Sequence, residues 1–286
     1  MKQYLSHSII LLIAGFSFIS CEDVIDIDTP SDDRRLIIDA LIRVDTLQPL
    51  TKVSIKVQET NGFFETLPPA GLQQITLTGL PPDGALGAIL IEEEPGSGIY
   101  SDLVSTEGLM SGEIFLQIDF EDEFFVAYAT FQPTVPIDNL RFGDGGGFDG
   151  DDTELIVTFT DNSETEDQYL FDFDFGNFLV TEDEFYNGQQ FEFSYFYDEN
   201  LNPGDTLDIS IMGIDNSLFN YMDLLIEQSE QDFGVFETPS LTVRGNIINA
   251  TDIDNDLNFN NVNLADNFAL GYFAIVQEYN ETIIVE

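Results

Sequence analysis

The chain has 286 residues, with 54 Asp and Glu against 8 Lys and Arg and a formal net charge of −46 at pH 7. Such a field repels nucleic acid and anionic lipid head groups, so no nucleic-acid partner is expected; it suits a solvated, salt-adapted surface, a bound cation or a cationic partner. The single histidine is His7 and the single cysteine is Cys21, which leaves nothing downstream for a Ser-His-Asp triad, a Cys-His dyad or a histidine and cysteine metal site.

At the N-terminus, Lys2, an apolar run from Ile9 to Ile19 and small Ser20 precede Cys21. This is the layout of a secretory signal. Eleven helical residues rise about 16 Å, too little to cross a hydrocarbon core of about 30 Å. The order Phe18-Ile19-Ser20-Cys21 fits, loosely, the box at which lipoprotein precursors are cut and acylated; the alternative is a secreted protein with an unpaired thiol near its start. Residues 1–20 therefore read as a lipoprotein signal peptide. Acyl chains such as palmitate on Cys21 would each contribute about 0.8 kcal/mol per buried methylene, enough together to hold the chain in lipid.

Residues 21–35 are acidic, contain Pro30 and read as a tether. Period-two alternation then takes over. Leu36, Ile38, Ala40 and Ile42 alternate with Ile37, Asp39, Leu41 and Arg43, and Val53, Ile55 and Val57 with Ser54, Lys56 and Gln58. Pro and Gly punctuate short apolar segments between Pro68 and Gly87, and a turn at Glu94 to Gly98 enters another strand. Ile114, Leu116, Ile118 and Phe120 alternate cleanly again. Short strands with turn signals between them predict a β-sandwich over residues 36–135, of an Ig-like or transthyretin-like kind.

Leu140 to Asp152, with five glycines and four aspartates, reads as a mobile loop or a calcium-binding turn. Alternation resumes at Leu155, Val157 and Phe159, then at Phe171, Phe173 and Phe175. Phe191, Phe193, Tyr195 and Tyr197 share one face of a further strand, where aromatic residues usually build core. One helix is predicted near 216–229: Asp215 or Asn216 can cap it, and Leu218, Tyr221, Met222 and Leu225 fall on one face. Strands are predicted at Leu241 to Ile248, Ala269 to Gln277 and Thr282 to Val285. Residues 136–286 thus read as a second β-rich domain with one short helix.

Carboxylates are the remaining catalytic resource. No Asp-Thr-Gly or Asp-Ser-Gly occurs, and Gly204-Asp205-Thr206 has the wrong order for an aspartic protease. With so many acids, any spacing rule for a glycosidase pair is met by chance. The sharpest metal candidate is Asp252, Asp254, Asp256 and Asn258, oxygen side chains at every second position as in a calcium loop. Leu257 stands where an EF-hand needs Gly and Asn263 where it needs Glu, so a polar hairpin tip is the alternative. Arg141 and Arg244, among so few cations, are expected to pair with clustered acids.

Several blocks resemble one family, the Bacteroidota lipoproteins grouped as domain of unknown function 4249. They are Cys21-Glu22-Asp23-Val24-Ile25-Asp26 with Arg35 to Ala40, Pro95 to Tyr100, Pro133 to Leu140, Asp183 to Gly188, Leu201 to Asp205, Phe236 to Pro239, Val243 to Ile247 and Leu270 to Phe273. The resemblance implies an outer-membrane lipoprotein, with Glu22 and Asp23 similar to a surface-export signal, often encoded beside a TonB-dependent transporter. It implies no reaction, ligand or catalytic residue. A longer Asn249 to Asn267 segment departs from the family's usual shorter link. The expected function is a non-catalytic binding accessory of that transporter in nutrient capture, anchored in outer-membrane lipid through acylated Cys21. An adhesive or structural surface protein and a carboxylate-dependent hydrolase are the alternatives.

Overall fold

A computed structural model describes residues 34–62, 65–80, 86–144, 153–198, 201–229, 242–251, 253 and 268–285. Cys21, Glu22 and Asp23, the Phe236 to Pro239 block, most of the Gly-rich stretch, and the calcium candidates Asp252, Asp254, Asp256 and Asn258 lie outside the described residues.

The protein is mainly β. Alternating sequence becomes alternating burial: in β1 (Leu36–Val44) every even residue is buried, and in β2 (Leu50–Glu59) every odd one. Strands β3 (Gln74–Gly79), β4 (Gly87–Ile89), β5 (Ile91–Glu92), β6 (Ile99–Ser105), β7 (Glu113–Phe120) and β8 (Glu123–Gln132) follow, with a one-turn helix α1 (Thr106–Leu109) after β6. Ser105 caps α1 by accepting the Gly108 amide on its Oγ.

The C-terminal half supplies β9 (Ile137–Phe142), β10 (Thr153–Thr160), β11 (Gln168–Asp172), β12 (Phe178–Glu182), β13 (Gln190–Tyr197) and β14 (Thr206–Ile214). Helix α2 (Asn216–Ser229), β15 (Ile248–Asn249) and the 15-residue β16 (Leu270–Ile284) complete it. Asp215 caps α2, its Oδ1 accepting the Leu218 amide at 2.8 Å.

Hydrogen bonding runs β4-β3-β7-β8-β16-β1-β2-β6-β5, with β4 lying against β6 so that the path nearly closes on itself. Its inward side chains, from β1, β2, β3, β6 and β7, form the first core with Phe273 and Ile275 of β16. β16 pairs in parallel with β1 through its first half and antiparallel with β14 through its second. Its odd residues therefore enter two cores in turn, Phe273 and Ile275 the first, Tyr279 and Ile283 the second. Between them Gln277, only 8% exposed, accepts the Thr134 amide on Oε1 at 3.0 Å and reaches Thr46 Oγ1 at 3.3 Å.

The second core lies between β11, β14 and β16 on one side and a separate sheet, β13-β10-β9, on the other. On the opposite face of β11 and β14, Leu170, Met212 and Ile214 pack against Leu218 of α2, with Ala274 and Val276 of β16.

Two expectations change at the ends of elements. The alternation Phe171, Phe173, Phe175 breaks because β11 stops at Asp172: Asp174 and Phe175 have φ of 68° and 52°, and the turn leaves Phe175 57% exposed. The strand foreseen over Leu241 to Ile248 is reduced, among the described residues, to Ile248 and Asn249. Ahead of them Asn246 mimics a strand partner with its side chain, Oδ1 accepting the Phe273 amide and Nδ2 donating to the Phe273 carbonyl.

Candidate functional site

A groove of about 550 Å³ lies between the outward face of β1 and helix α2. It exists because β1 and β16 bury one face in the first core while α2, seated over β11 and β12, covers only part of the other. Ile37 and Leu41 form its floor, Tyr221, Met222 and Leu225 of α2 one wall, and Ser54, Lys56 and Ile99 the other. Apolar lining with a few placed charges is the usual make-up of a ligand site, and the volume falls in the usual range of about 300–1,000 Å³.

Arg43 closes one end. It donates to Asp172 Oδ2 at 2.7 Å and Glu278 Oε1 at 3.1 Å. Burial alone would depress its pKa, but the two carboxylates more than offset this and raise it above the ordinary value. Tyr221 and Tyr272 lie with ring centroids 5.0 Å apart. Burial pushes both hydroxyls up, Tyr272 to about 12, with Asp39 adding to Tyr221 and Asp215 to Tyr272. Both therefore remain neutral donors at physiological pH.

A second feature, which sequence reading missed, is a trio of acids, two in the loop before β11 and one in the 3-10 turn after β12. Asp161, Asp167 and Asp183 each offer a carboxylate oxygen within 4.8 Å of the others, and Asp161 and Asp183 are only 5% exposed. Asp161 accepts from the Tyr169 hydroxyl and, at 2.6 Å, from the Gly188 amide. Asp183 Oδ2 accepts from the Asp167 amide and Asn187 Nδ2, and Asp167 Oδ2 from the Thr165 hydroxyl. Burial, then the two neighbouring carboxylates, pushes the Asp167 pKa up. The free lone pairs suit a hard cation such as calcium. The hydrogen bonds already made tie loop 161–167 to the 3-10 turn at Asp183–Phe185, so the trio is at least a clasp. The available signal was the Asp183-Glu184-Phe185-Tyr186-Asn187-Gly188 block, whose Asp, Asn and Gly are all used in it.

The sequence-singled arginines have modest roles. Arg141 pairs with exposed Glu192 at 3.2 Å. Arg244 stacks on the Phe268 ring, its guanidinium carbon 3.7 Å from the centroid, while Arg35 covers the same ring at 4.2 Å. Thr251 Oγ1, just before the Asp252 candidate, accepts the Phe124 amide at 2.8 Å and so ties residue 251 to β8.

These features define a mainly β protein that carries an apolar groove with charged margins. The family pattern described as Domain of unknown function (DUF4249) matches residues 22–257, and the chain belongs to that family. No curated protein matches it. Several of the blocks behind the resemblance, among the described residues, have physical roles. Three of them, at Arg35–Ala40, Val243–Ile247 and Leu270–Phe273, meet at one crossing. There a Cβ on Gly271, which has φ of 100°, would lie 1.9 Å from the Ile38 carbonyl oxygen, and one on Gly245 would lie 1.7 Å from that of Gly271. In Pro95–Tyr100, Glu92 Oε1 accepts the Gly96 and Gly98 amides, and the Tyr100 hydroxyl donates to the Ala70 carbonyl.

Proposed function

We propose that the chain is a non-catalytic binding lipoprotein, anchored in the outer membrane of a Bacteroidota cell through acylated Cys21 and displayed outward as an accessory of a TonB-dependent transporter. The observation that carries the binding part is the groove beneath α2, an apolar concavity on the outward face of the sheet. The anchor rests on the sequence around Cys21, and surface display on Glu22 and Asp23. No helix among the described residues is long and apolar enough to cross a membrane. Tethering beside a channel raises local ligand concentration without a tight site.

The finer fold reading belongs to the same proposal. An Ig-like or transthyretin-like sandwich for the first region is supported by the meeting of β1, β2 and β6 with β3 and β7 around one core.

Metabolic labelling with palmitate tests the anchor: the wild type takes up label and Cys21→Ser does not. Tagging the native protein and solubilising the outer membrane in mild detergent tests the partnership. A stoichiometric TonB-dependent transporter is expected in the eluate; a protein that emerges alone overturns the accessory reading.

A further inference from the structure

Lys56 stands apart from the other cations among the described residues. Arg34, Arg43, Lys52 and Arg141 hold ion pairs with carboxylates, and Arg35 and Arg244 stack on Phe268. Lys56 makes no side-chain hydrogen bond or ion pair among the described residues, in a chain that carries 54 acids. Its neighbour across the ladder is Asp39, directly opposite in the β1–β2 register, and the two do not bridge each other. Asp39 is likewise exposed and, among the described residues, bonded to nothing through its side chain; both line the groove.

Two opposite, uncommitted charges thus stand one strand spacing apart, about 5 Å between Cα atoms, beside an apolar trough. A singly charged ligand would meet one attractive and one repulsive neighbour here. A compact zwitterion meets two attractive ones. Arg43, the remaining charge in the lining, is held by both Asp172 and Glu278, a cluster of net negative charge that offers no free cation to a ligand carboxylate. Tyr221 lies close enough to Asp39 to feel its charge, so a ligand ammonium at Asp39 would also have an aromatic neighbour. Ile37, Leu41 and Met222 then offer an apolar bed for the rest of the molecule.

We infer that the groove is a binding site for an apolar α-amino acid, its ammonium held by Asp39, its carboxylate by Lys56, and its side chain laid between β1 and α2. This rests on the binding reading above and names its ligand class. No bond is made or broken.

The test is calorimetric titration of the full protein, in mild detergent, with three probes sharing one body: phenylalanine, phenethylammonium and 3-phenylpropanoate. Phenylalanine is expected to bind about fivefold more tightly than either singly charged probe, the scale of one exposed charge contact. Asp39→Asn should weaken phenylalanine about fivefold and leave 3-phenylpropanoate as tight or tighter. Lys56→Gln should do the same with phenethylammonium as the spared probe. Both positions are exposed, and unchanged thermal midpoints would show the fold intact. Equal affinities for all three probes, phenylalanine binding indifferent to both substitutions, or no saturable phenylalanine binding would overturn the assignment. Because the transporter should still co-purify with both variants, failure here is distinguishable from failure of the accessory reading.

Discussion

The first and second cores are built from different materials and held by different bonds. In the first, Ile, Val and Leu from strands of one nearly closed hydrogen-bonded path interdigitate, with few rings among them. In the second, Phe159, Tyr169, Phe171, Phe173, Tyr186 and Tyr197 meet Phe191, Phe193 and Tyr195, and the sheet β13-β10-β9 shares no ladder with the strands it covers. A ladder holds strands through backbone groups whatever their side chains. Where no ladder crosses, ring packing and a few side-chain bonds, such as Tyr197 hydroxyl to Phe173 carbonyl, must hold the layer on. Aromatic residues supply large buried area per side chain and pairing preferences of their own.

The largest expected effect falls where the two regions share β16. Gly271→Ala would put a Cβ against the Ile38 carbonyl at a positive φ, and a loss above about 4 kcal/mol is expected because β16 would have to leave β1. Little folded protein, measured by circular dichroism, is the outcome. Next, Phe159→Ala, at the centre of four ring contacts, should cost about 3–5 kcal/mol. Ile55→Val in the first core should cost about 0.5–1.5 kcal/mol. Urea unfolding followed separately in the two regions would sharpen the contrast, with Phe159→Ala shifting the second region alone. Asn246→Ala removes the side chain that pairs with the Phe273 backbone in the first region, and about 1–3 kcal/mol should be lost in the same assay.

The smallest effect has the opposite sign. Asp167 is raised in the folded state, so the unfolded chain gives up its proton at lower pH. Its ionisation therefore costs stability as pH rises from about 4, and the cost is fully present above the raised value. Asp167→Asn is expected to stabilise the second region by a few tenths of a kcal/mol at pH 7, the group being only partly buried. The gain should vanish below about pH 4, as thermal melts at both pH values would report.

The first region was legible in sequence because each strand has one buried and one wet face, so alternation in Leu36 to Arg43 or Ile114 to Phe120 maps directly onto burial. The same rule found β10 and β13, and helical spacing of Leu218, Tyr221, Met222 and Leu225 after a cap at Asp215 or Asn216 found α2. It failed where long-range contacts decide. Leu241 to Ile248 reads as strand, yet backbone crowding at Gly245 and the side-chain pairing of Asn246 replace the ladder there. Phe175 continues a period that the left-handed pair Asp174 and Phe175 breaks. The groove was illegible because Asp39, Lys56 and Tyr221 lie on three elements and look like ordinary solvated or core positions one at a time. The acid trio was hidden by abundance: of the three only Asp183 stands in one of the family's blocks, and with 54 carboxylates nothing local joins Asp161 and Asp167 to it.

The contrast between a ladder-built region and a ring-attached layer is tested most directly by native-state hydrogen exchange of the intact protein, read strand by strand. Amides of β1, β14 and β16 should open only with global unfolding, while β9, β10 and β13 should open together at a lower free energy and leave the groove-forming strands protected. Equal protection across all six strands, or earlier opening of β1 and β16, would contradict it.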